Sequence, residues 1–451
     1  MDNPFIRLFC VLSLLICLPA TACGSGASGG GTPASPSDKF PVSGPEVSGV
    51  AAYDDAIIPV LKKWSIPGAA LAVTKNGKLI LVRGYGYADV ENKAPVQPDS
   101  MFRIASISKP ITAAAILHLV DQKKLDLESK FLDVLTEFSL PTNADARLRN
   151  ITIRHLLEHA GGWDRDVSGD PMFMSTEIAK SLNVPAPATC RNVIQYMLGR
   201  PLDFEPGMKY AYSNFGYCIL GRVIEKVTGQ SYEVYVRDNV LAPMDVHAMR
   251  IGRSLAEGRA PGEVKYYDYD GAPLATSVFP GTTTVPMQYG GYNLEAMDAH
   301  GGWIASAIDL VRFMSALDGR RGSGYITANS LIEMTARPDV PQWSTSAYWY
   351  GLGLLVRPQE MDANWWHNGA LRGSCSLLIR SWNGYEWALL VNSRPQDTRT
   401  VDSDLDKAMW KALGNGLQGS PADLFSQYPS PQLPPALGIE KPTTAVHAKE
   451  R

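Results

Sequence analysis

Two hairpin signals at opposite ends of the chain constrain its fold most. AALAVTK (69–75) and KLILVRGYGYA (78–88) flank Asn76-Gly77, and SCSLLIRSW (374–382) and YEWALLVNS (385–393) flank Asn383-Gly384. Asn-Gly between apolar runs is a strong turn signal, because both residues tolerate positive φ. YWYGLGLLVRP (348–358) reads as one further strand. The middle is different: PITAAAILHLVDQKKL (110–125) and NFGYCILGRVIEKVTG (214–229) read as helices, the second stopped by Gly229. Strands from both termini with helices inserted between them predict an α+β body. It is an antiparallel sheet of N- and C-terminal strands with flanking helices, plus an inserted, mainly helical lobe and a cleft where the two meet.

The segment ahead of this body reads as an export signal. Arg7 precedes an apolar run, Leu8 to Leu18, too short to span a bilayer, followed by Pro19 and ATAC. Ala20 and Ala22 fit a cleavage site, and Cys23 directly after them makes ATAC resemble the lipobox of bacterial lipoproteins. The expected division is therefore a signal peptide (1–22), a lipidated Cys23 with a Gly/Ser/Pro tether (23–48), a catalytic-sized body (49–428) and a disordered Pro-rich tail (429–451). The expected location is the bacterial envelope or periplasm, with membrane attachment through the lipid on Cys23. Of six cysteines, Cys10 and Cys17 leave with the signal, so Cys190, Cys218 and Cys375 remain, enough for at most one bridge. A formal net charge of −3 over 451 residues gives no basic field for nucleic acid.

Several short motifs compete as the site. GASGG (26–30) spells a nucleophile elbow but lies in the tether, where no strand and helix can hold it. HLLEH (155–159) sets His155, Glu158 and His159 at the spacing of a zinc peptidase. However, Thr152 can cap a helix that Gly161 and Gly162 must end after about two turns, with Leu156 and Leu157 facing the core, and no third ligand is marked downstream. Ser106 and Lys109 form an SxxK pair, which sets a hydroxyl beside an amine able to take its proton. Tyr212 and Asn214 stand two apart just ahead of a helix, so a phenol and an amide can enter one cleft. HxG occurs at His159, His300 and His367, and only the last lies between expected strands. There Ala370 can lend its N–H to an oxyanion hole shared with the N–H of Ser106.

SISK, YSN and HNG, in that order, resemble the three motifs of the serine β-lactamase and penicillin-binding protein superfamily, in its class C-like branch of β-lactamases, D-alanyl-D-alanine carboxypeptidases and carboxylesterases. FRIASISKPITAAAILHLVDQKKLDL, ITIRHLLEHAGG, FEPGMKYAYSNFGYCILGRVIEKVTG and AHGGWIASAIDLVRFM extend the likeness from about Ile66 to about Ser393. The resemblance implies acyl transfer without metal or cofactor on a small-molecule, ester or peptide substrate. Ser106 is the implied nucleophile, Lys109 and Tyr212 the proton carriers, Asn214 the orienting amide, and His367 with Gly369 the strand that borders substrate. HLLEH then resembles a structural helix and loop. The departure is His367, where many β-lactamases carry a Lys that binds a substrate carboxylate. This favours peptidase or esterase activity over β-lactam hydrolysis. Arg372, two residues beyond Ala370, is a candidate compensating cation if the strand continues through it, the alternative being an Arg on a solvated edge. A zinc peptidase and a non-catalytic envelope-binding lipoprotein are the competing readings.

Overall fold

The computed structural model describes residues 40–281, 283–322, 324–414 and 422–432. The signal peptide, Cys23, the tether before residue 40 and the tail after residue 432 lie outside the described residues.

The sheet joins the two chain ends. Its strands are β1 (Val42–Ser43), β2 (Gly68–Lys75), β3 (Lys78–Asp89), β4 (Trp349–Tyr350), β5 (Leu355–Gln359), β6 (Asp362–Leu371), β7 (Ser374–Arg380) and β8 (Tyr385–Val391), in the order β1-β3-β2-β8-β7-β6-β5-β4, with a short strand Ala94–Pro95 beside β3. The N- and C-terminal halves meet where β2 pairs antiparallel with β8, from Lys75↔Tyr385 to Ala69↔Val391. Successive side chains of a strand point to opposite faces. Hence Ala70, Ala72, Ala388 and Leu390 enter the core shared with the helical lobe, while Ala69, Leu71, Val73, Leu389 and Val391 enter a second core. Helices α1 (Val50–Lys63) and α7 (Thr398–Gly414) cover that second face, and α6 (Ala307–Leu317) lies against β2 and β8 on the first.

Within the lobe α2 (Ser108–Asp121) is buried on nearly all sides, which its unbroken apolar run required. Against it packs α5 (Asn214–Thr228), ended by Gly229 at φ 72°, and α5 in turn carries α3 (Ile153–Leu157); α4 (Arg165–Ser168) follows α3 in the chain. A Cys190–Cys218 disulfide ties helix Cys190–Met197 to α5, and Cys375 is a buried free thiol.

Four expectations need correction. Residues 40–48 belong to the body: Val42 and Ser43 pair with Tyr85 and Gly84, and the Arg83 guanidinium donates to the carbonyls of Gly44 and Pro45. Backbone pairing of so short a strand leaves no hydrophobic pattern to read. Likewise the body continues past Tyr428, since the Ser430 hydroxyl accepts from the N–H groups of His247 and Ala248 and donates to Asp309. The stretch 348–358 is two strands, split by a turn in which Gly353 stands at φ 87°. HNG lies inside a strand, β6, not between strands.

Candidate active site

Ser106 sits in a 3-10 turn, Ala105–Ile107, that feeds α2. Ala105 holds φ 46°, a left-handed backbone uncommon for a residue with a side chain, and such strain persists where the surroundings over-determine it. Across the cleft, a Cβ at Gly369 would stand 2.2 Å from the Ile104 carbonyl oxygen and 3.0 Å from the Ser106 nitrogen, so only glycine lets β6 approach this turn. Ser376 of β7 adds a hydrogen bond to the Ile104 carbonyl at 2.8 Å.

Lys109, one turn into the helical segment, is fully buried. Its Nζ lies 3.1 Å from Ser106 Oγ and donates to Asn214 Oδ1 at 2.8 Å and the His300 carbonyl at 2.9 Å. Burial pushes its pKa well below the usual lysine range, with Asp170 opposing and Arg165 assisting. The Tyr212 ring centre lies 4.7 Å from the same Nζ, and burial pushes its phenol above its ordinary range, with Ser106 opposing. The amide of Asn214, the first residue of α5, links the lysine to Asp170, whose Oδ2 accepts from Nδ2 at 2.6 Å. Ser213 caps the helix by accepting from the Gly216 N–H at 3.2 Å.

The loop carrying Tyr212 is held by His159. The His159 carbonyl accepts from the Ala211 N–H at 2.9 Å, its Nδ1 accepts from the Ser213 N–H at 3.1 Å, and its ring lies 4.3 Å from the Tyr212 ring. Both neighbours of the tyrosine are thus bound to one residue. This overturns the zinc geometry. Helix α3 ends at Leu157, His159 stands at φ 59°, and His155 turns back so that its Nδ1 accepts from the Thr152 N–H at 3.3 Å. The two imidazoles share no helical face. Among the described residues no group of three or more His, Cys, Asp or Glu stands where it could hold a metal ion.

His367 is buried beneath the same loop. Its Nδ1 lies 2.6 Å from the Asn368 carbonyl, which can only accept, so that nitrogen carries the proton and Nε2 accepts from the Tyr350 hydroxyl at 3.0 Å. Burial, reinforced by Lys109, lowers its pKa to about 3, leaving a neutral ring at neutral pH. All three HxG triplets therefore converge here: His159 holds the tyrosine loop, His300 supplies a carbonyl to Lys109, and His367 lines β6. Each triplet has its own backbone context, so the shared spelling alone does not bring them together. The contributions of Asp170 and Arg165 have no signal in their spacing.

The β6 edge completes the site. Pairing with β5 stops at Leu355↔Trp366, whereas pairing with β7 continues to Leu371↔Ser374 around a two-residue turn. Residues on an antiparallel strand alternate in the direction of their backbone groups. Leu371 faces β7, so the Ala370 N–H faces the uncovered edge beside Ser106. Arg372 does not extend this edge. It lies in the turn, with Nε 2.8 Å from Asp268 Oδ2 and its guanidinium 4.9 Å from the Tyr269 ring centre. Its charge is already paired within the chain, and the expected compensation for His367 is not found there.

The Beta-lactamase family profile matches residues 54–408. The chain belongs to the Beta-lactamase family. Protein flp of Staphylococcus aureus (strain MW2) is 34% identical over 186 residues, covering 41% of this chain and 35% of flp, so this family member spans about a third of that relative's length. Among solved structures, the D-amino acid amidase of Ochrobactrum anthropi SV3 complexed with L-phenylalanine amide superposes with a TM-score of 0.62 at 23% identity, over 80% of this chain and 99% of that one. EstCE1, described as a hydrolase with promiscuous acyltransferase activity, gives 0.64 at 19% identity, over 80% and 98%. At these identities the likeness shows the fold, which is that of the β-lactamases and transpeptidases.

Proposed function

We propose that this Beta-lactamase family member is a serine hydrolase that works through an acyl-enzyme on Ser106, with a peptide-like amide or an ester as substrate. The observation that carries the reading is the contact of Lys109 Nζ with Ser106 Oγ at 3.1 Å in a buried site where the Tyr212 ring centre lies 4.7 Å from the same Nζ. A lysine pushed down and a tyrosine pushed up in pKa suit opposite tasks. The neutral amine of Lys109 accepts the Ser106 proton as Oγ attacks the carbonyl carbon. The N–H groups of Ser106 and Ala370 receive the oxyanion, and the Tyr212 phenol protonates the departing amine or alkoxide. Water then attacks the acyl carbon, its proton passes to the same pair, and Ser106 Oγ leaves protonated. Asn214 holds Lys109, and His367 and Gly369 border the substrate along β6. A neutral His367 offers no cation from β6 to a substrate carboxylate. The fold shared with an amidase and with EstCE1 supports peptidase or esterase chemistry.

Ser106→Ala is expected to abolish both labelling by a fluorophosphonate probe and hydrolysis across a panel of an aryl ester, a D-alanyl-D-alanine peptide and a chromogenic β-lactam, because no other group has the nucleophile's effective concentration. Chelators should change nothing. Activity that survives in the alanine variant, or that a chelator removes and zinc restores, would sink this reading. We place the enzyme at the envelope, held by a lipid on Cys23, on the strength of the ATAC motif and the tether. Cys23→Ser should then move it from the membrane to the soluble fraction; a wild-type protein already soluble, with Cys23 unmodified, rules the anchor out.

A further inference from the structure

A substrate carboxylate entering this cleft meets no cation at His367, which is neutral, or at Arg372, which faces Asp268. It does meet Arg165. This residue opens α4 directly after the Gly161-Gly162 turn, its side chain is exposed, and its guanidinium lies 4.7 Å from the centre of the Tyr212 ring. The adjacent Asp164 does not neutralise it: that carboxylate takes Lys209 Nζ at 2.5 Å and the Asp166 N–H at 3.0 Å. Among the described residues no carboxylate forms an ion pair with Arg165.

Stacking on an aromatic face uses the plane of a guanidinium and leaves the N–H groups on its edge free, in the fork geometry that takes a carboxylate with two hydrogen bonds. The same ring centre lies 4.7 Å from Lys109 Nζ, so one aromatic ring carries the guanidinium and the buried amine that touches Ser106. The opposite charge at the site, Asp170, is already engaged by Asn214 Nδ2 and by the Met172 N–H. The cleft therefore presents an available positive group on the Tyr212 side and a bonded negative one beside Asn214.

We propose that Arg165 is the specificity residue that reads a negative charge on the substrate, making carboxylate-bearing amides or esters the preferred class. The inference rests on the Ser106 acyl-enzyme reading and names the substrate class of that same site. Arg165 replaces, from the helical lobe, the cation that β6 lacks.

The test compares wild type, R165A and R165E on two aryl esters of matched length, 4-nitrophenyl valerate and the hemiester 4-nitrophenyl hydrogen glutarate. The measured quantity is the ratio of kcat/KM for the anionic ester to that for the neutral one. It cancels any common effect of Arg165 on Tyr212. R165A should lower this ratio at least about tenfold, mainly through KM, and R165E should lower it further. A ratio constant within about twofold across the three proteins, whatever the absolute rates, overturns the proposal. The same ratio can be read without turnover, from protection of fluorophosphonate labelling by phenylboronic acid against 3-carboxyphenylboronic acid. A wild-type protein that takes no label fails the parent reading. Labelled protein with an unchanged ratio fails only the assignment of Arg165.

Discussion

The floor and the rim of the cleft are built on opposite electrostatic principles. The floor consists of Lys109, His159, His300 and His367, all buried and all pushed toward their neutral forms by desolvation. The rim carries Arg165 with its charge in water and Asp170 half-buried beside Asn214. A floor of neutral bases can pass a proton at neutral pH and cannot hold a substrate's charge; a charged side chain in water at the rim can hold it. The difference teaches why replacing the third-motif lysine by His367 need not cost recognition of an anion. The task moves outward to a group that stays charged.

The largest effect should come from Tyr212, which the floor holds in place through His159. Tyr212→Phe removes one proton carrier while His159 still holds the loop, and is expected to lower kcat by roughly 10²- to 10⁴-fold with little change in thermal midpoint. Wild-type turnover by the purified variant would take Tyr212 out of the mechanism and blur the contrast between floor and rim. The specificity change at Arg165 is expected to be smaller. Smallest should be a stability signature. A histidine whose folded pKa lies near 3, against an ordinary value of 6.5, binds fewer protons folded than unfolded between those values, so stability falls as pH falls through that window. His367 should contribute a slope of up to about 1.4 kcal/mol per pH unit there, and His159 and His300 act in the same direction. Denaturant unfolding of wild type and His367→Gln from pH 7 to pH 4 checks the sign. A variant as acid-sensitive as wild type would mean that His367 is not kept neutral by folding.

Much of this arrangement was legible in advance. Asn76-Gly77 turns with both residues at positive φ, 48° and 75°, because the turn chemistry is local. Asn383-Gly384 was read as the same turn, yet only Gly384 has positive φ, and its N–H closes a turn on the Ser381 carbonyl. The reason lies outside the hairpin: the Gly384 carbonyl accepts from the Asn76 N–H at 2.8 Å, and Lys75 Nζ bonds the Asn383 carbonyl at 2.6 Å, so the two hairpin tips set each other's shape.

The sequence by itself determined whatever a short stretch of chain decides alone: the terminal strands, the apolar helix behind Ser106, the capped and curtailed HLLEH helix, and the order of SISK, YSN and HNG. Only the tertiary structure decided which charges are free. Arg372 is as charged in the sequence as Arg165, but Asp268 stands against one, whereas the other lies over the Tyr212 ring and forms no ion pair among the described residues. Likewise His159, spaced as a metal ligand, becomes the clamp on Tyr212 because a left-handed turn points it away from His155. Pairing and burial depend on residues far apart in the chain, and Coulomb and desolvation energies are set by those distances in space, which local spacing does not encode.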